Sequence, residues 1–580
     1  MRTLILFFIA ALQLILAQPG GRPALNSIRL ERHKAVPMRD GVTLYCDAYL
    51  PLQPGKYPTL IVRTPYGVQR DGAHEALVKF AQNGYATLMM DVRGRYESEG
   101  KWDPFRYEAQ DGYDTVEWAA AQSFSNGKVG LQGGSYLGHV QWAAASQQPP
   151  HLVAIFPAVA STNLYANWIT YGGAFRLSFN YGWGVVRMPN RIMLPQYWHT
   201  EAFMPEEQKY ENILWHLPLM TGDTRSAGNA VQHYRDWLAH PDYDSYWKAI
   251  SDEERIDKIK VPAHTFGGWF DIFLQGTLDG YTLMKKKAAA ESARRHTRMI
   301  VGPWGHGATR KFGDVDFGDH AFIAQFEEEL KFFDYHLKGI QNGLDQEPPV
   351  KIYYMGANVW KQHSDWPLPN TQYKDLFLSQ PGELSFTKPT QTSTATYRYD
   401  PLSPVPTLGG NNCCGTPTLA GPKDQRPLEH RKDVLTYTSE YLTEPLAIAG
   451  PVSMKLHAQT DGPDTDWMVK LIDVYPNGFS FPVAEGILRA RYRNGYEKQD
   501  LLTPNQSYEF KIPMAGTANV FQKGHRIRVL VTSSNYPQFD RNPNTGETFA
   551  TSDKVRVANQ TIHHGPAKPS AIVLPVVPLP

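Results

Sequence analysis

The stretch that most constrains this chain runs from Lys128 to Ala145. Lys128-Val129-Gly130-Leu131-Gln132 reads as a short buried strand, Gly133-Gly134-Ser135 as a pinched turn, and Tyr136 to Ala145 as a helix. A serine at the tip of so sharp a turn is forced into a strained backbone conformation. Only small neighbours fit beside it, and Gly133 and Gly134 supply them. The strain leaves a hydroxyl exposed at a helix N-terminus, where unpaired N–H groups and the helix dipole favour an oxyanion.

The surrounding pattern is that of an α/β sheet. Ser27 to Leu50 is strand-like, with a hairpin turn at Arg39-Asp40-Gly41. Thr59 to Arg63 is a continuous apolar run of the buried parallel type, followed by a helix over 73–82 and a strand over 85–90. A helix over 109–121, the strand and helix around Ser135, and a strand over 152–156 continue the alternation. Such alternation argues for a right-handed, mostly parallel sheet. It breaks after Ser161. Residues 164–255 are dense in aromatics without clear alternation, and read as a mainly helical cap inserted between sheet strands. The sheet resumes at Val261 to Phe266, with a helix to Lys285, a strand over 297–301 and a helix over 321–337. Beyond Glu347-Pro348-Pro349 the pattern turns all-β, with short runs at 350–354, 434–438, 452–457, 467–474, 526–532 and 554–557. The expected division is 24–163 and 256–345 for the α/β unit, 164–255 for the cap and 346–580 for a β-sandwich or jelly roll.

A serine alone is a poor nucleophile. It needs a histidine to take its proton and a carboxylate to orient that histidine. Asp271 and His306 follow Ser135 in the order Ser, Asp, His, and each directly follows an expected strand. One histidine among 19 is no evidence by itself; the order and the strand-end positions are.

Gly133-Gly134-Ser135-Tyr136-Leu137-Gly138 departs from the general nucleophile elbow of α/β-hydrolases, which has glycine where Leu137 stands. It resembles instead the Gly-X-Ser-Tyr-X-Gly elbow of the CocE/NonD hydrolases and their relatives, the α-amino-acid ester hydrolases, glutaryl acylases and X-Pro dipeptidyl-peptidases. The loop 91–100, Gly268-Trp269-Phe270-Asp271 and Gly302-Pro303-Trp304-Gly305-His306 are similar to further motifs of that family. So are Asp433-Val434-Leu435, residues 466–471 and Ser534-Asn535-Tyr536-Pro537 of its C-terminal jelly roll. The resemblance implies a serine esterase or acylase with the triad Ser135, His306 and Asp271, needing no metal and no cofactor. It implies oxyanion donors in the Tyr136 N–H and, from Thr64-Pro65-Tyr66-Gly67, the Tyr66 hydroxyl. In the α-amino-acid ester hydrolases, acidic residues two and three positions after the aspartate help bind the substrate ammonium; here Phe273 and Leu274 stand there. The cocaine-esterase branch has a phenylalanine at the first of these positions. Phe273 and Trp168 are thus expected to line a pocket for neutral, apolar acyl groups. An X-Pro dipeptidyl-peptidase is the alternative within the enzyme class, although no pocket for a free N-terminal amine is visible. A secreted binding protein on a dead hydrolase scaffold is the other alternative, and the intact triad weighs against it.

Charge and cysteine content narrow the partners. With 58 basic and 57 acidic residues there is no field to draw nucleic acid, and the expected partner is a small ester or amide. Met1-Arg2-Thr3 and the apolar run Leu4 to Leu16 read as a signal peptide over 1–17, too short to span a bilayer, so the mature chain is expected to be secreted or periplasmic without stable membrane insertion. Three cysteines, Cys46, Cys413 and Cys414, do not make a disulfide framework, and their pairing is open. No Cys/His spacing resembles a zinc site. The oligomeric state is open as well.

Overall fold

The computed structural model of the protein describes residues 26–68, 73–192, 210–414 and 419–580. The expected leader, 1–17, lies outside them. Strands β1 (Ile28–Pro37) and β2 (Thr43–Pro51) form the expected hairpin, closed by the Met38 N–H on the Val42 carbonyl at 2.8 Å. There follow β3 (Tyr57–Thr64), α1 (Ala73–Gln82), β4 (Ala86–Asp91), α2 (Glu108–Ala120), β5 (Ser125–Gly134), α3 (Tyr136–Ser146) and β6 (Leu152–Ala158). The ten-stranded sheet runs β1, β2, β4, β3, β5, β6, then His264–Gly268, Arg298–Gly302, Val350–Tyr354 and Val359–His363. From β4 to Val350–Tyr354 every neighbouring pair is parallel. Parallel strands need crossovers, and their helices cover both faces, which is why runs such as Leu60-Ile61-Val62 and Leu88-Met89-Met90 are apolar without alternation.

The cap is built of short helical pieces, including two π-helical turns, Tyr165–Ile169 and Tyr181–Arg187, and the helix Gln232–Ala239. Its aromatics do more than fill the cap. Trp168, Phe179, Trp183 and Trp237 join Tyr136 and Val140 of α3, Phe273, and Tyr536 and Phe549 of the C-terminal unit in one buried cluster. The nucleophile turn is therefore roofed by packed rings.

The C-terminal unit is all-β, with thirteen strands among the described residues, between Gln372 and Val577. Two of them, Asp466–Val474 and Ser480–Arg489, are buried along their whole length. Charged residues there are paired: Arg489 with Asp466 at 2.9 Å and Asp540 at 2.8 Å, and Arg491 with Asp464 at 2.8 Å. Removing one member would strand a buried charge. This unit shares a core with the α/β sheet through Trp269, Leu278, Val350, Trp366 and Val520.

Two expected strands differ. Val350–Tyr354, read as the first of the all-β unit, pairs in parallel with Arg298–Gly302 and extends the α/β sheet past the boundary expected near 346. A five-residue apolar run looks the same in either setting, and only its neighbours decide. Residues 554–557 are not a strand. Lys554 and Arg556 are drawn to Glu547 at 3.0 Å and Asp461 at 2.8 Å, and the ladder starts at Ala558. The helix expected over 321–337 begins at Gln325 and ends as the π-helical turn Asp334–Lys338.

Candidate active site

Ser135 stands between β5 and α3 with φ 63° and ψ −126°, the strained geometry expected of it. The turn is locked by its own backbone. The Ser135 N–H donates to the Ala158 carbonyl at 3.0 Å, and its carbonyl accepts from Gly138 at 2.8 Å and His139 at 3.0 Å. Gly138 explains the departure from the general elbow. A Cβ there would lie 2.6 Å from the Ala160 Cβ and 2.7 Å from the Ala158 carbonyl oxygen, so α3 approaches the end of β6 at this residue. Leu137 is half-buried and needs no such clearance.

Tyr136 opens α3, so its N–H lies in the first helical turn, where no intrahelical acceptor exists. Its ring is buried. The hydroxyl donates to Glu108 at 2.7 Å and accepts from the Phe105 N–H at 3.0 Å, and Glu108 is ion-paired with the buried Arg63 at 2.8 Å. This support fixes the start of α3 and was not legible in the sequence.

Asp271 is fully buried and follows the strand His264–Gly268; His306 follows Arg298–Gly302 and keeps 16% of its side chain exposed. One Asp271 carboxylate oxygen accepts from His306 Nδ1 at 2.6 Å, the other from the Phe273 N–H at 2.7 Å. An ionised carboxylate only accepts, so the imidazole proton sits on Nδ1 and Nε2 is left as an acceptor. Among the described residues Ser135 Oγ makes no hydrogen bond to His306; this bond is commonly long in resting hydrolases and tightens with substrate. The backbone carbonyl of Asp271 is held from outside the α/β unit. Asn411 Nδ2 donates to it at 3.0 Å and to the Trp269 carbonyl at 2.9 Å. Behind the carboxylate lies a cavity of about 20 Å³, room for one water, lined by Arg176, Asn411 and Glu485. Arg176 is buried there, and burial lowers its pKa to about 10.

Tyr66 follows β3 and is half-buried. Its hydroxyl oxygen accepts from Trp183 Nε1 at 3.2 Å, a cap residue not singled out in the sequence for any role at the site. Trp168 and Phe273, expected to line an acyl pocket, are stacked with ring centroids 4.0 Å apart, and Phe273 stands edge-on to His306 at 5.5 Å. Both rings are completely buried.

Cys413 and Cys414 are disulfide-bonded to each other, and Cys46 is a buried free thiol. The pair lies beside His306: a ring nitrogen and the two sulfurs all fall within 4.8 Å of one another. A cavity of about 330 Å³ is lined by His306, Phe312, Cys413, Cys414 and Lys423. Both cysteines lie in the Gly-rich stretch Gly409-Gly410-Asn411-Asn412-Cys413-Cys414, whose place at the site depends on tertiary packing alone.

The strand order, the strained serine turn and the inserted cap define an α/β-hydrolase, a serine hydrolase of ester or amide bonds. Comparison with known proteins narrows the class. Residues 40–308 match the model of the X-Pro dipeptidyl-peptidase (S15 family), and 342–573 that of the X-Pro dipeptidyl-peptidase C-terminal non-catalytic domain. The chain is 36% identical to the cocaine esterase of Rhodococcus sp. (strain MB1 Bresler) over 93% of its own length and 97% of that protein. Among solved structures it is similar to an aminopeptidase from a marine sediment archaeon, Thaumarchaeota archaeon, with TM-score 0.84, 27% identity and coverage of 95% and 96%. It is also similar to an α-amino acid ester hydrolase, with TM-score 0.82, 29% identity and coverage of 98% and 100%. The chain belongs to the CocE/NonD family of serine hydrolases.

Proposed function

We propose that the protein is an exported serine esterase or acylase that transfers neutral, apolar acyl groups to water through Ser135. The Ser135 hydroxyl attacks the substrate carbonyl while its proton passes to Nε2 of His306. Asp271 stabilises the resulting imidazolium through Nδ1. The carbonyl electron pair moves onto oxygen, where the Tyr136 N–H and the Tyr66 hydroxyl receive it. Collapse expels the leaving group, which takes the proton from His306, and water then repeats the sequence on the acyl-enzyme. The observation that carries this reading is the 2.6 Å bond from His306 Nδ1 to a buried carboxylate, set on the loops that follow two parallel strands of the same sheet whose strand β5 ends at the strained serine.

The acyl preference follows from Phe273 and Leu274. Both are buried and apolar at the positions where the amino-acid-specific relatives hold acidic residues. A desolvated ammonium there would meet no carboxylate. Export is supported by the 1–17 segment and by a disulfide, a bond that persists in oxidising compartments. The similarity to an aminopeptidase favours a second reading, release of dipeptides or amino acids from a free N-terminus. Replacing Ser135 with alanine should abolish ester turnover and fluorophosphonate labelling together; labelling of the variant at the wild-type rate would refute the assignment. Paired kcat/KM values for a phenylacetyl ester and an X-Pro anilide separate the two readings.

A further inference from the structure

We propose that Cys413, Cys414 and His306 form a thiol-dependent site for a soft or borderline divalent cation such as zinc, and that filling it switches hydrolysis off. The proposal rests on the triad reading for its effect on activity, not for the binding itself. Two cysteine sulfurs and a ring nitrogen within 4.8 Å of one another are a donor set of the kind that holds zinc at about 2.3 Å from sulfur and about 2.0 Å from nitrogen. The bond between Cys413 and Cys414 keeps both sulfurs together beside the imidazole; Cys414 has φ +72°, and its carbonyl accepts from Arg187 at 2.7 Å. The site faces a cavity of about 330 Å³. With three protein ligands, a fourth position remains for water.

The disulfide blocks this site, because its sulfurs carry no thiolate. Opening it takes two electrons. A trialkylphosphine supplies them: phosphorus attacks one sulfur, the S–S bond breaks, water gives its oxygen to phosphorus and two protons to sulfur, and a phosphine oxide leaves. Zinc then displaces both thiol protons. Either ring nitrogen would serve, with the same result. Binding Nε2 removes the acceptor of the Ser135 proton, and binding Nδ1 breaks the bond to Asp271. The disulfide form is therefore the active one, and the dithiol form is silenced when zinc is present, which ties hydrolysis to an oxidising compartment.

The test uses the purified full chain, reduced with the phosphine, desalted without oxygen and titrated with cobalt(II). One equivalent should bind with a thiolate-to-cobalt charge-transfer band, displaced by zinc, and absent from the oxidised protein. Zinc should then stop fluorophosphonate labelling of the reduced chain but not of the oxidised one, and a chelator should restore it. The C413S/C414S double variant, which keeps Cys46, should show no band, and its own labelling rate should not respond to phosphine and zinc. His306→Asn should weaken cobalt binding about tenfold or more while keeping the band. No band in reduced wild type, an undiminished affinity in His306→Asn, equal zinc inhibition before and after reduction, or a pair that stays oxidised in the folded chain would each overturn the proposal. A failed triad assignment would instead leave the cobalt band intact and the labelling absent throughout.

Discussion

In the proposed mechanism, Tyr66→Phe removes one oxyanion donor. The Trp183 indole N–H is a donor only, so its 3.2 Å bond engages a lone pair of the Tyr66 oxygen and not its proton. That bond orients the hydroxyl, which in the proposed mechanism donates to the developing oxyanion. Removing one such donor lowers kcat by about 10²–10³, or about 2.7–4 kcal/mol. KM should change little, because the oxyanion exists only in the transition state. The substitution also leaves the buried Trp183 N–H without the tyrosine oxygen, so stability should fall by about 1–3 kcal/mol. Trp183→Phe supplies the control. It keeps the tyrosine hydroxyl and removes the indole donor to it, roughly the net worth of one hydrogen bond, so kcat should fall about tenfold or less. Steady-state hydrolysis of a p-nitrophenyl ester, with thermal midpoints for the three proteins, reads all of these. A rise in KM at constant kcat, or a Trp183→Phe loss as large as that of Tyr66→Phe, would refute the reasoning.

Asp252 is fully buried, and burial raises its pKa to about 7 against the opposing pull of Arg255; His139, 3.4 Å away, is lowered to about 3 by burial. Between those values the contact is a neutral acid against a neutral imidazole, not an ion pair, despite its distance. A raised carboxyl pKa stabilises the fold fully below about pH 4, and the contribution is lost as pH climbs to about 7, at about 1.4 kcal/mol per pH unit. Asp252→Asn should match wild type in thermal midpoint near pH 4 and exceed it increasingly toward pH 7; a gap constant with pH is the contrary result. Phe273→Glu should shift kcat/KM toward a phenylglycyl over a phenylacetyl ester, at a price in stability because the site is buried against Trp168. A clear wild-type preference for the phenylglycyl ester would overturn the acyl reading. Intact mass of secreted material should show a chain shorter by about seventeen residues, consistent with a leader of that class; a full-length mass in the membrane fraction would contradict export.

The parts of the fold and site legible in the sequence are those whose cause is local. The strained serine turn needs Gly133 and Gly134 beside it, and Asp271 and His306 follow strands whose apolar runs are themselves visible. The short helices of the cap were hidden because its aromatics face several neighbours at once, so no single period survives. Trp183 meets Tyr66 across 117 positions, and Asn411 meets Asp271 across 140. Neither pair has a pattern in the chain that would announce it. The pairing of Cys413 with Cys414 was equally open, since adjacency alone does not decide it.

The same distinction bears on how the two large units divide the work. The model matched by residues 342–573 is described as non-catalytic, and none of Ser135, Asp271 and His306 lies in it. Yet its loop reaches the centre of the site. Asn411 holds the carbonyls of Trp269 and Asp271, and the neighbouring Asn412 bridges to Asp271 as an isolated rung. Asp271 in turn has one carboxylate oxygen on the start of the following helix and the other on His306. The imidazole is thus aimed by a carboxylate whose own backbone is clamped from the all-β unit, and orientation at this level supports the proton transfer proposed above. The shared core through Trp269 and Leu278 makes that clamp rigid rather than incidental. In physical terms the all-β unit holds none of Ser135, Asp271 and His306 and still sets where the histidine points.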